Sequence, residues 1–170
     1  MKVIGIAGYS GSGKTTLIEK VIPLLVRDGL RVSLIKHAHH EFDLDQPGKD
    51  SYRHRHAGCG EVLISSSKRW GLMHELRGES ELQLHELLKH LSPCDLVIVE
   101  GYKNEPLPKV EVHRRDSTTP LLYPDDPNVV AVATDEPLDT TLPQLDVNDA
   151  EGVARFIVQY LGLNRARLVR

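Results

Sequence analysis

The chain is poor in cysteine, with two in 170 residues, Cys59 and Cys94, far apart and in no metal-ligand spacing. That excludes a disulfide framework, and both thiols fit a reducing compartment. Long apolar runs are also missing. No stretch approaches the roughly 20 residues of a membrane span, and residues 1–7 lead straight into a glycine-rich loop with no secretory pattern, so the expected location is cytoplasmic with no membrane partner. Basic charge is not in excess: 21 Lys and Arg against 24 Asp and Glu leave a net charge of −3, which gives no electrostatic footprint for nucleic acid. Repeats, low-complexity segments and interdomain linkers are absent. One domain is expected over residues 1–163, followed by a basic tail over 164–170.

The apolar content that is present, 40% of residues against 26% charged, is that of a globular chain. Its patterning alternates strands and helices. Residues 2–7 (KVIGIA) read as a buried strand, and 31–36 as a second. Between them Leu17, Ile18, Val21, Ile22, Leu24 and Leu25 recur at helical spacing, with a stop at Arg27 and Gly29 and with Pro23 expected to kink the helix or remove one hydrogen bond. A polar loop over 37–49 precedes a short helix capped by Asp50 or Ser51 and running through Ala57. Residues 61–65 and 69–75 read as a hairpin, and 79–91 as a leucine-rich helix. Residues 96–99 and 128–134 are continuous apolar strands, 109–113 alternates like a half-exposed or edge strand, and 145–147 is a short one. Asn148 or Asp149 caps a last helix to Leu161. The order implies a three-layer α/β fold with a mostly parallel sheet and right-handed crossovers.

Gly8 to Thr15 (GYSGSGKT) matches G-x-x-x-x-G-K-[ST] at every defined position, after a buried strand and at the start of a helix. A triphosphate needs several N–H donors converging on its oxygens, and glycines let the backbone wrap it. Ser10, Gly11, Ser12 and Gly13 supply that loop, Lys14 reaches the β- and γ-phosphates, Thr15 ligates Mg²⁺ and Thr16 contacts the α-phosphate. In open α/β sheets ligand groups come from the carboxyl ends of strands. Glu100 stands at such an end and can bind Mg²⁺ through water or orient an attacking water, so Lys14 and Glu100 are the candidate catalytic residues. Asp95, at the opposite end, reads as a strand-start residue. The loop after the second strand carries Lys36 as a phosphate contact and Asp43 or Asp45 as a magnesium-linked group, the metal set being Thr15, Glu100 and Asp45. The alternative is a solvated polar loop. Its histidines show no compact zinc-chelating pattern. Lys103 either neutralises phosphate or faces solvent. Asp135 ends a buried strand; its carboxylate can accept N1–H and the 2-amino group of guanine, or it is a turn aspartate before Pro137. The N-K-x-D guanine motif is absent.

The phosphate loop, Lys36-His37-x-His39-His40, Pro47-Gly48-Lys49-Asp50-Ser51-Tyr52, Ala57-Gly58, Arg69-Trp70, Val99-Glu100-Gly101-Tyr102-Lys103 and the Asp146 to Asp149 stretch together resemble the MobB family, the adaptor proteins of molybdopterin guanine dinucleotide biosynthesis. The resemblance runs to Leu161, and the K-H-x-H-H and P-G-K-D-S stretches are its specific part. It implies GTP and Mg²⁺ as ligands, weak GTP hydrolysis, and a fold similar to the dimeric, signal-recognition-like P-loop GTPases. It implies as partner the guanylyltransferase of the MobA type that joins GMP to molybdopterin, and delivery or modification of the molybdopterin cofactor. It also implies a homodimer with strands exchanged between subunits. The hairpin over residues 61–75, apolar for a peripheral element, is the candidate for that exchange.

Two other classes use the same loop. A small-molecule kinase would take Asp43, Asp45 or Glu100 as base, but no Arg-rich lid segment is evident. A metal-handling NTPase would use the cluster from His37 to His40 to pass a metal to a client.

Overall fold

The computed structural model describes residues 1–38 and 42–163. His39, His40 and the tail over 164–170, which the sequence reading singles out, lie outside the described residues. Twelve elements follow in chain order: β1 Lys2–Ala7, α1 Lys14–Arg27, β2 Val32–Lys36, α2 Asp50–His56, β3 Glu61–Ser65, β4 Trp70–His74, α3 Leu84–Leu87, β5 Leu96–Glu100, β6 Lys109–Val112, β7 Val129–Thr134, β8 Gln144–Asp146 and α4 Ala150–Tyr160. The described residues cluster as two compact units, one of residues 1–37 and 87–163, the other of residues 38 and 42–86.

The larger unit holds a six-stranded sheet in the order β2-β5-β1-β6-β7-β8. Every pairing in it is parallel. One face packs α1 and α4. Leu17, Ile18, Val21 and Leu25 of α1 meet Val153, Ile157 and Val158 of α4 over Ile4, Ile98, Val110 and Ala131, all buried. Full burial of such side chains stabilises by roughly 1.5–3 kcal/mol each, which is why the apolar runs of β1, β5 and β7 lie at the sheet centre. The other face is closed in part by connections. Leu107 lies against Gly5, and Glu111 accepts the amides of Leu122 and Tyr123. α1 runs through Pro23 without interruption. The Asp149 side chain caps α4 by accepting the N–H of Gly152 at 2.9 Å. Asp95 accepts the Arg31 N–H at 2.8 Å, the strand-start role expected of it.

Two expectations are corrected here. β6 is no edge strand: it lies between β1 and β7, and all four of its residues are buried. Its alternation of polar residues arises because Lys109 and Glu111 are satisfied internally. Lys109 Nζ donates to Lys103 O, Glu105 O and Asp126 Oδ2 at 2.8, 2.7 and 2.7 Å. The long helix over 79–91 shrinks to α3 and a 3₁₀ turn at Leu88–His90. Arg77 and Gly78, both with positive φ, form a turn that the Glu79 N–H closes onto Leu76 O at 2.7 Å, and the Glu86 carboxylate accepts the Gln83 N–H at 2.8 Å and fixes the start at Leu84.

The smaller unit contains α2 and the antiparallel β3–β4 hairpin, in register from Glu61↔His74 to Ser65↔Trp70. Arg55 of α2 is its hub. Its guanidinium donates to Glu75, to Asp43 Oδ1 at 2.6 Å and to Asp45 Oδ2 at 3.2 Å. The expected cap at Asp50 or Ser51 is corrected: the cap position is Lys49, whose side chain has no acceptor, so α2 has no side-chain cap, and the Ser51 hydroxyl, inside the first turn, donates to Asp45 Oδ1 at 2.6 Å. One hairpin face leaves Leu63, Trp70 and Leu72 exposed. Among the described residues no helix is long and apolar enough to cross a membrane.

Candidate functional site

The glycine-rich turn between β1 and α1 forms a loop whose geometry requires its glycines. Gly8 has φ 141°, and a Cβ there would lie 2.5 Å from Val112 O and 2.8 Å from Ser12 Oγ. Gly13 caps α1 at φ 93°, ψ 13° with no side-chain hydrogen bond to the helix's first amides. Those amides, with the positive end of the helix dipole, remain available to an anion. Ser12 Oγ is buried without a hydrogen-bond partner among the described residues.

Lys14 folds back over the loop, its Nζ donating to Gly8 O at 2.9 Å and Tyr9 O at 2.7 Å. Burial lowers its pKa, Glu100 opposes that shift, and Lys36 and Lys103 add to it. Thr15 Oγ1 donates to Glu100 Oε1 at 2.7 Å, and Lys36 Nζ reaches the same oxygen at 3.2 Å. β1 and β2 both pair with β5, which brings the loop, Glu100 and Lys36 to one edge of the sheet. Lys103 lies over the Tyr9 ring at 4.8 Å. Lys14 and Lys36 thus act on one carboxylate, and Lys103 adds a third positive charge that Lys14 feels, the charge balance of a site that takes up an anion. Ser10, Gly11 and Thr16 are in the same turn with exposed positions. The donor set fits a nucleotide phosphate chain, and the Thr15–Glu100 pair fits a hydrated Mg²⁺ beside it.

Asp45, expected beside magnesium, belongs to the smaller unit, where its oxygens are taken by Ser51 and Arg55. Those contacts tie it into that unit, and Asp43 accepts Arg55 in the same way. Among the described residues no cluster of three His, Cys, Asp or Glu is placed to hold a metal ion.

Asp135 follows β7. Its carboxylate lines an open depression of about 330 Å³ with Thr134, Pro137, Leu145 and Asn148. It accepts the Arg115 N–H at 2.8 Å on Oδ1 and Arg114 Nη1 at 3.1 Å on Oδ2, contacts that hold its pKa below the usual carboxylate range. Arg114 escapes the sequence reading. The signal was available, since it follows the carboxyl end of β6, but with β6 taken as an edge strand its end had no place next to the loop. In the sheet β6 adjoins β1, and a Cβ at Gly13 would lie 3.6 Å from Arg114 Nε.

The chain is similar to known proteins along nearly its whole length. The model of the family described as molybdopterin guanine dinucleotide synthesis protein B (MobB) matches residues 3–135. A molybdopterin-guanine dinucleotide biosynthesis adapter protein of Escherichia coli (strain K12) is 43% identical over 94% of this chain and 93% of its own. One of Haemophilus influenzae is 44% identical over 94% and 89%. Among solved structures, that of a MobB protein homolog from Bacillus stearothermophilus superposes with TM-score 0.74 at 27% identity, covering 96% of this chain and 100% of that one. A six-stranded α/β core with this loop, and likeness along nearly the whole chain, leave one conclusion: the chain belongs to the MobB family.

Proposed function

We propose that this chain is a GTP-binding adaptor with slow Mg²⁺-dependent GTPase activity in molybdopterin guanine dinucleotide biosynthesis. The observation that carries the nucleotide reading is the 2.7 Å hydrogen bond from Thr15 to Glu100 at the end of a glycine loop that also holds Lys14. A hydroxyl and a strand-end carboxylate beside a phosphate loop are the pair that such sites turn to magnesium. Magnesium, when bound, neutralises charge on the β- and γ-phosphate oxygens. Lys14 exchanges its two loop carbonyls for phosphate oxygens, the amides from Ser10 to Thr16 surround the chain, and Lys36 leaves Glu100 for the terminal phosphate. Glu100, freed of one ammonium, would with Thr15 hold the hydrated metal, or would orient the attacking water. A slow rate is in keeping with the described residues, among which Glu100 is the carboxylate that Thr15 and Lys36 contact at the loop.

The names of the relatives support the adaptor role. Its partner in this reading is the guanylyltransferase that joins GMP to molybdopterin, in the cytoplasm, with the cofactor passing between them. The exposed face of Leu63, Trp70 and Leu72 supports a homodimer built through the hairpin.

Titration calorimetry of GTP, GDP and ATP with Mg²⁺ tests the nucleotide reading. Guanine preference, lost in Lys14→Ala with the fold unchanged, is the expected result. Preference for ATP overturns the guanine part, and undiminished GTP affinity in Lys14→Ala overturns the site.

A further inference from the structure

We infer that Arg114 contacts the nucleotide itself, at the phosphates nearest the nucleoside, and that Asp135 and Asn148 serve to hold it there. The inference rests on the nucleotide reading above. Arg114 Nη1 is fixed from two sides, by Asp135 Oδ2 at 3.1 Å and by Asn148 Oδ1 at 3.0 Å. The opposite edge of the guanidinium faces the phosphate loop: a Cβ at Gly13 would lie 3.6 Å from Nε and 3.8 Å from Nη2. Among the described residues Nε and Nη2 have no hydrogen-bond partner. These two N–H groups form the side-on fork that matches two oxygens of a phosphate. The side chain is one-third exposed, so an incoming anion reaches it.

Position assigns the phosphate. β5 and β6 flank β1 on opposite sides. Glu100, which Thr15 and Lys36 approach, closes the β5 flank and marks the metal and γ-phosphate end. Arg114 closes the β6 flank, beside the depression that Asp135 and Asn148 line. A cation there serves the phosphates common to a di- and a triphosphate. Asp135 gives one acceptor site on each oxygen to Arg114 and to the Arg115 amide, so the role assigned to it here is to orient the arginine, with guanine read by other groups.

The experiment is calorimetry of the full chain with GTP, GDP and xanthosine triphosphate, each with Mg²⁺, on wild type, Arg114→Ala, Arg114→Lys, Asp135→Asn and the Arg114→Ala/Asp135→Asn double variant. Arg114→Ala is expected to weaken GTP and GDP by the same factor, about tenfold to a hundredfold for a charge-assisted fork, with partial recovery in Arg114→Lys. Asp135→Asn is expected to show a smaller loss that vanishes in the Arg114→Ala background. Wild-type affinity in Arg114→Ala, or loss confined to GTP, overturns the inference while leaving the nucleotide reading intact. A gain of xanthosine triphosphate binding in Asp135→Asn, where the amide would donate to the xanthine 2-oxo group, overturns the anchoring role. Wild-type protein that binds none of the three overturns the nucleotide reading and this inference with it.

Discussion

Thr15 Oγ1 and Glu100 Oε1 are hydrogen-bonded at 2.7 Å although 85 residues separate them in the chain. The β1–β5 register produces that meeting, since Ile6 pairs with Glu100 and the chain then turns through the loop into α1. Glu100 is buried, and its neighbours are a hydroxyl and an ammonium that a metal ion can displace. Glu100→Gln keeps an oxygen to accept from Thr15 and loses the charge. GTP turnover is expected to fall on the order of a hundredfold with nucleotide affinity little changed, and the Mg²⁺ concentration for half-maximal turnover to rise. Single-turnover hydrolysis over a magnesium titration measures both. Equal rates in variant and wild type exclude Glu100 from the chemistry.

Lys14 supplies a second prediction. Burial and the nearby Lys36 and Lys103 lower its pKa in the free protein. A bound phosphate chain favours the ammonium and raises it again. In alkaline buffer the complex therefore holds more protons than the free protein. Nucleotide binding should take up protons there, and affinity should decline as pH rises through the free Lys14 value. Calorimetry in buffers of different ionisation enthalpy reads the uptake. In Lys14→Met the alkaline uptake should disappear for whatever binding remains, and its persistence would place the proton elsewhere.

Lys109 is the larger stability element. It is 1% exposed, and its ammonium ties two loop carbonyls and Asp126 to the middle of the sheet. Burial opposes the charge on Asp126, yet the Lys109 bond and the Asn128 amides hold its pKa below the ordinary range. Lys109→Met strands that carboxylate and two carbonyls. The expected cost is about 3 kcal/mol, the low end for a broken buried pair because Asp126 still meets water. Urea unfolding, with slope unchanged, measures it. A cost near zero would mean that solvent or a shifted loop replaces the ammonium.

The two kinds of residue at this site were unequally legible. Gly8 to Thr15 could be read from sequence because loop chemistry fixes both the residue types and their spacing. Glu100 followed from a topological rule about strand ends. Arg114 did not, because the rule needs to know which strand adjoins β1, and Lys109 and Glu111 disguised an interior strand as an edge. Their partners, Asp126 and the amides of Leu122 and Tyr123, are more than ten residues away and leave no local pattern. For Asp45 the sequence hides the partner instead: Arg55, ten residues on, reaches its carboxylate from α2 and leaves no local pattern. The helix expected over 79–91 failed in its first turn, where the Glu79 N–H closes a turn onto Leu76 and Glu86 claims the Gln83 N–H, neither of which leucine spacing reveals.

Glu111 turns the same buried strand into a pH probe. It is 1% exposed, and desolvation raises its pKa, against the pull of the Leu122 and Tyr123 amides and of His113. In the unfolded chain it titrates at the ordinary glutamate value, so between the two values the native state binds more protons than the unfolded one. Stability from this group is then fully present below the unfolded value and is lost as pH rises through the folded one. Asp126 and Asp135, both depressed, work in the opposite sense, their contributions being lost as pH falls. Raw stability curves therefore mix the two, and the comparison with Glu111→Gln isolates the first. The glutamine keeps one acceptor oxygen for the two amides, a cost that does not vary with pH. The wild-type advantage over Glu111→Gln should shrink steadily as pH is raised from the ordinary glutamate value toward neutrality, read from urea midpoints at matched ionic strength. A constant difference would show that Glu111 titrates alike in both states, and that its two amide bonds offset its burial in full.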